Sequence, residues 1–149
     1  MKAVGLDLGE RRIGVAVSDR AGTLASPWTV IERSGERGID HARVAALVAE
    51  VGAERVVVGL PLSLRGTEGP AARAAREEAE ALAHVAGVPV EVADERLTTV
   101  TADRALRAGD RRGGRSASRR RRVVDQVAAT VMLQAFLDRR RGTVTVRHQ

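Results

Sequence analysis

From Lys2 to Leu8 and again from Arg12 to Ser18, apolar residues alternate with small or polar ones, the period of two that marks β-strands. Gly9-Glu10-Arg11 between them suits a hairpin turn, so the two strands are expected to run antiparallel. Thr23 to Ile31 reads as a third strand, and Pro27, which cannot donate to a ladder, puts it at a sheet edge. The period then changes. Ile39, Ala42, Ala46 and Ala49, with Val44, Leu47, Val48 and Val51, fall at helical spacing and predict a helix from Asp40 to Val51, with Gly52 as its stop. Arg55 to Gly59 is a short continuous apolar run, the pattern of a strand buried on both faces and hence central and parallel to the first. Pro70 opens a second helix that the Ala/Glu/Arg composition carries to about Ala86, and Val88 to Ala93 predicts the next strand.

Thr98 or Thr99 can cap a short helix through Arg107. Asp110 to Arg122 carries seven arginines and no apolar period, and is expected to be a mobile basic loop. Helical spacing resumes from Val123 to about Arg139, with Val124, Val127, Ala128, Val131 and Ala135 on one face and Asp125, Ala128, Ala129 and Met132 beside it. Gly142 to Gln149 reads as a tail, strand-like through Thr143 to Val146. The order βββαβαβαα predicts an α/β fold with a five-stranded mixed sheet, three antiparallel strands then two parallel ones, flanked by helices. At 149 residues the chain is expected to form one domain spanning 1–149.

One position breaks the apolar pattern. Val4, Leu6 and Leu8 share one face of the first strand, while Ala3, Gly5 and Asp7 share the other. An ionised carboxylate in an apolar sheet is costly unless it is paired, hydrogen-bonded or bound to a metal, so Asp7 needs a partner. Two other acids are placed to meet it. Glu95 follows the last central strand, with Asp94 beside it as an alternative, and Asp125 opens the final helix next to the small residues Ala128 and Ala129. Asp19, Asp103 and Asp110 read as surface charges, and His41, His84 and His148 as surface residues without ligand-like spacing.

Charge and composition narrow the chemistry. The 25 Lys and Arg against 19 Asp and Glu give a net charge of +6, almost all of the excess being arginine. Such a balance favours a polyanionic partner, nucleic acid above all. Trp28 and Phe136 are the only aromatic residues, too few for the stacking platforms that read single strands, so backbone and shape contacts must dominate. The absence of cysteine, of a signal-like N-terminus and of any apolar run near 18 residues leads to the expectation of a cytoplasmic protein with no membrane partner. Clustered carboxylates repel by about 4 kcal/mol per pair at 4 Å and an effective dielectric near 20, so a convergent set calls for cations. All-oxygen ligation selects Mg²⁺ or Mn²⁺, and two such ions about 3.5–4 Å apart clamp the oxygens of phosphoryl transfer.

Five motifs in order carry a family resemblance: Gly5-Leu6-Asp7-Leu8-Gly9 with Arg12-Ile13-Gly14-Val15-Ala16, then Val58-Gly59-Leu60-Pro61-Leu62, Gly66-Thr67-Glu68, Asp94-Glu95-Arg96-Leu97-Thr98-Thr99 and Asp125-Gln126-Val127-Ala128-Ala129. From near Met1 to about Phe136 the chain resembles the YqgF family, an RNase H-like group whose members are named Holliday junction resolvases and pre-16S rRNA nucleases. The resemblance implies an RNase H-like fold with Asp7, Glu95 and Asp125 as metal-binding catalytic acids. Arg12, Arg96 and Thr98 within those motifs, and Arg119, Arg120, Arg121 and Arg122 before the last one, are expected to contact the substrate. The chain departs from family habit at Glu10-Arg11 in the hairpin turn and at Arg122, where relatives often carry lysine, a compact ammonium rather than a planar fork.

The expected function is metal-dependent endonucleolytic hydrolysis of structured nucleic acid, with 5′ maturation of pre-16S rRNA foremost, by a monomer or homodimer. The alternatives are resolution of branched DNA at a Holliday junction and a non-catalytic RNA-binding role in ribosome assembly. A Gly-x-Asp-x-Gly hairpin also opens actin-like and sugar-kinase ATPases, but those need two such lobes, and this chain has room for one.

Overall fold

The computed structural model describes residues 1–61, 67–94 and 115–147. Five strands form a single mixed sheet in the order β3-β2-β1-β4-β5: β1 (Ala3–Leu8), β2 (Arg12–Ser18), β3 (Ala25–Glu32), β4 (Arg55–Leu60) and β5 (Val90–Asp94). β1, β2 and β3 pair antiparallel as a meander, and β4 and β5 add in parallel on the other side of β1. This is the mixed five-stranded architecture expected from the sequence. Pro27 sits on the edge strand at a register shift, where Val15 faces Thr29 and Ala16 faces Pro27. Trp28 is the residue left over, and its side chain is half exposed.

The two sheet faces are built from different residue sizes. Val4, Leu6, Ile13, Val15, Val56 and Val58 pack against α1 (Arg37–Val51) and α2 (Pro70–Ala83) through Val44, Val48 and Leu82. Gly52, in the left-handed conformation at φ 69°, ends α1, and Pro70 opens α2. The opposite face presents Ala3, Ala16 and Val57, with Gly5 and Gly14 between them, to α3 (Arg115–Arg147). Small residues there let the helix axis approach closely. A Cβ built on Gly5 would lie 2.8 Å from Leu133 Cβ.

α3 differs from expectation at both ends. It starts at Arg115, inside the stretch expected to be a mobile loop, and runs to Arg147, inside the expected tail. Arginine is a strong helix former, and the missing apolar period marks exposure rather than disorder, since Arg119, Arg120 and Arg122 face solvent. Its buried stripe is Ala128, Ala129, Met132, Leu133 and Leu137, while Val127 is 39% exposed, so the face carrying Asp125 is the one that docks. The expected short helix through Arg107 lies outside the described residues. Among the described residues, no helix is long and apolar enough to cross a membrane.

Asp19 organises the β2–β3 turn by accepting hydrogen bonds from the Thr23 hydroxyl (2.7 Å) and from the amides of Thr23 (2.8 Å) and Leu24 (3.2 Å). These bonds hold its carboxyl at about 2.

Leu133 is fully buried between α3 and Gly5. Leu133→Ala is expected to cost about 2–5 kcal/mol, a drop of about 2–4 °C in Tm per kcal/mol for a domain of this size. Calorimetric unfolding checks it, and a loss below about 1 kcal/mol would show that α3 is not anchored there.

Candidate active site

Asp7 is the penultimate residue of β1, half-buried, and pairs across the ladder with Gly14 of β2. Paired residues of an antiparallel ladder project to the same face, here the face covered by α3. Gly14 is where α3 comes nearest the sheet: a Cβ at this position would lie 2.3 Å from the Asp125 carbonyl oxygen and 3.3 Å from Asp125 Cβ. Cross-strand Cβ atoms stand about 4.5–5.5 Å apart. The Cβ atoms of Asp7 and Asp125 are therefore within about 9 Å of each other, a span two carboxylates can close around one cation. The ladder fixes one acid, and the docked helix fixes the other.

β5 supplies the neighbouring edge of this region. Gly59 pairs with Ala93, and Ala93 packs with the α3-side cluster. Asp94 pairs with Leu60 and falls on the opposite face by strand alternation, away from Asp7. Glu91 shares the α3 side but is ion-paired with Arg55. Glu95, Arg96 and Thr98 lie outside the described residues. Among the described residues there is no group of three or more metal-ligating side chains.

Two of the expected substrate contacts meet at one carboxylate. Glu32, the last residue of β3, takes Arg12 Nε at 3.3 Å and Arg122 Nε at 2.9 Å on the same oxygen. Arg12 is 13% exposed at its side chain and Arg122 54%, so the first is an anchored cation and the second a surface one. Arg119 and Arg120 are exposed and Arg121 half-buried on the turns of α3 preceding Asp125. A basic helix surface thus leads into the two aspartates. Glu10 is exposed in the turn after Asp7.

His41 is not a surface residue. It is buried on α1, with Nε2 2.8 Å from Glu78 Oε2 of α2. Glu78 is buried too and is gripped by both terminal nitrogens of Arg33, at 2.8 and 2.9 Å. Burial pushes the Glu78 carboxyl up, but the hydrogen bonds from Arg33 and His41 outweigh it and hold it below the usual carboxylate range. The sequence carries a signal for this network. Glu78 interrupts the stripe Ala75, Ala79, Leu82, and His41 precedes Val44 and Val48 at helical spacing, so each is a polar residue on an otherwise buried face.

Comparison with known proteins gives this geometry a context. A family model described as "RuvX: Holliday junction resolvase" matches residues 1–139. A protein of Thermobifida fusca is 54% identical over 142 residues, covering 93% of this chain and 87% of the relative. One from Chloroflexus aggregans is 50% identical over 140 residues, covering 93% and 94%. Both carry the name "Putative pre-16S rRNA nuclease". Among solved structures, Thermus thermophilus RuvC superposes with a TM-score of 0.57 at 21% identity over 96% of this chain and 98% of the other. The same protein in complex with a Holliday junction substrate gives 0.56 at 20%, again covering 96% and 98%. At that identity the likeness shows the fold, which is RNase H-like.

The contact at Gly14 is with backbone, so an added methyl cannot be absorbed by a side-chain rotation. Gly14→Ala is expected to shift α3 and to destabilise by about 1–3 kcal/mol, whereas Gly38→Ala, with open space around it, leaves stability unchanged or raised. Chemical denaturation of the two variants side by side checks this. Equal stabilities would contradict the close packing of Asp125 on β2.

Proposed function

The chain belongs to the RuvX family of nucleases, and from that premise we propose that it is a metal-dependent endonuclease acting on structured RNA, with 5′ maturation of pre-16S rRNA as its reaction. The observation that supports this reading is the seating of Asp125 against Gly14, the residue paired with Asp7 across the β1–β2 ladder. The donor set fits a hard divalent cation: the two carboxylates stand on rigid elements, and oxygen ligands suit Mg²⁺ or Mn²⁺. Asp7 and Asp125 would hold it, with Glu95, the residue directly after β5, as the third acid. Asp94 is the poorer candidate because its position in β5 turns it to the other face. When bound, the ions, two in this reading, supply charge stabilisation at phosphoryl oxygens and a water of lowered pKa.

The remaining work falls to the chain's own residues. Asp7 and Asp125 would orient the attacking water from fixed backbone positions, and one of the two carboxylates would accept its single proton. Arg119, Arg120, Arg121 and Arg122 bind phosphates along the helix that leads to the site, and Arg96 and Thr98 extend that contact after β5. Arg12 and Arg122 already converge on one carboxylate oxygen, that of Glu32. A substrate phosphate would compete with Glu32 for Arg122, whose Nε hydrogen-bonds that oxygen at 2.9 Å, since a guanidinium recognises both oxyanions through the same N–H geometry. In this reading the protein works in the cytoplasm as a monomer or homodimer.

The deciding experiment compares wild type with Asp7→Asn, Glu95→Gln and Asp125→Asn on two substrates, a pre-16S RNA carrying its 5′ extension and a four-way DNA junction, each with and without Mg²⁺. Loss of several kcal/mol of transition-state stabilisation predicts a fall of about 100-fold or more in each variant. Mg²⁺-dependent cleavage of the RNA by wild type alone supports the proposal. Preferential cutting of the junction would shift it to the resolvase reading. Equal cleavage by wild type and variants would leave an RNA-binding assembly role.

A further inference from the structure

Asp7 is followed immediately by the β1–β2 turn, and that turn is held from outside the ladder by Arg33, the residue directly after β3. The Arg33 amide donates to Arg11 O at 2.9 Å, and its side-chain Nε donates to Gly9 O at 2.8 Å. One residue thus grips both limbs of the turn. Within the turn, the Gly9 amide donates to the carbonyls of Asp7 (3.1 Å) and Arg12 (2.9 Å), so Gly9 is bonded directly to the backbone of the acid.

The guanidinium that holds Gly9 is itself fixed. Its two terminal nitrogens form a fork on Glu78, which also meets His41, and both of these residues are buried. Asp40, buried at the start of α1, accepts the amide of Ser34, the residue after Arg33. The arginine is therefore constrained on three sides by α1, α2 and its own backbone. Burying an ion pair is weak evidence for stability, because apolar residues of similar volume often serve as well. A planar fork that satisfies a carboxylate and still aims a third N–H at a backbone carbonyl is something neither an apolar residue nor lysine can reproduce.

We propose that Arg33 is a positioning residue for Asp7: half-buried and forked onto the buried Glu78, it clamps Gly9 and Arg11 and so sets the direction in which the Asp7 carboxylate faces Asp125. The proposal rests on the reading of Asp7 as a metal-holding acid. Arg33 touches neither metal nor substrate and acts through the turn. Partners that orient ligands typically change metal affinity or activity by about 10–100-fold when lost.

Two variants separate positioning from folding. Arg33→Lys keeps a charge opposite Glu78 but cannot hold the fork and Gly9 together, and the double variant Arg33→Met/Glu78→Leu removes the pair altogether. Mn²⁺ affinity by calorimetry, kcat and KM for RNA cleavage, and amide hydrogen exchange at Gly9, Glu10 and Arg11 are measured in both. Expected are faster exchange in the turn with β4 amides unchanged, Mn²⁺ affinity and kcat lowered by about 10–100-fold, and KM within twofold of wild type. Wild-type Mn²⁺ affinity and turn exchange in a folded Arg33→Lys would overturn the proposal. So would failure of both variants to fold, which would assign Arg33 to the core instead of the turn. Asp7→Asn in the same titration separates the two readings: if it retains Mn²⁺ binding, the metal role of Asp7 fails, and if it loses binding while Arg33→Lys does not, only the role of Arg33 fails.

Discussion

The close approach of α3 to the small-residue face of the sheet is the constraint on which the candidate site depends. Ala3, Gly5, Gly14 and Ala16 remove the side chains that would hold the helix off, and Leu133 fills the space above Gly5. At Gly14 there is room for hydrogen only, because the Asp125 backbone occupies the rest. Packing at this density makes position a two-way constraint: the sheet cannot accept a methyl, and the helix cannot slide without losing Leu133 and Leu137 from the core. An acid carried on that turn of helix is placed as firmly as one within the ladder.

Charge is handled in two different ways on the two sides of the sheet. On the α1/α2 side, Glu78 is buried and fully engaged by Arg33 and His41, so its cost of desolvation is offset by hydrogen bonds within the protein. On the α3 side, Asp7 and Asp125 are half-buried acids brought to one place by backbone geometry. Two like charges so placed are stabilised by a cation, and the arginine surface of α3 supplies the complementary field for a polyanion. The first arrangement shapes the turn that the second uses.

Much of this was legible in the chain because it is written in periodicity. The alternation through β1 and β2, the apolar run of β4 and the proline in β3 led to the sheet that is observed, and Asp7 stood out as the one charge on an apolar strand. The docking face of α3 is legible in the small residues Ala128 and Ala129 beside Asp125, although Val124, Val127 and Val131 offer a second apolar face. Close packing at Gly5 and Gly14 decides between the two faces in favour of the smaller residues. The first turns of the helix from Arg115 leave no trace in the apolar pattern because exposed turns need no apolar period. For His41 and Glu78 the signal is a polar residue on an otherwise apolar helix face, whereas Arg33 carries none, since only the fold brings it from the end of β3 onto α1 and α2.

Asp7 and Asp125 are proposed to act as one cation-binding unit joined through Gly14. Paramagnetic broadening by substoichiometric Mn²⁺ tests that unit directly by amide NMR, without substrate. The amides of Asp7, Gly14 and Asp125 are expected to broaden together and first, while those around Asp19 at the other end of the sheet stay sharp. Broadening that spares any of the three, or that begins elsewhere on the surface, would contradict it.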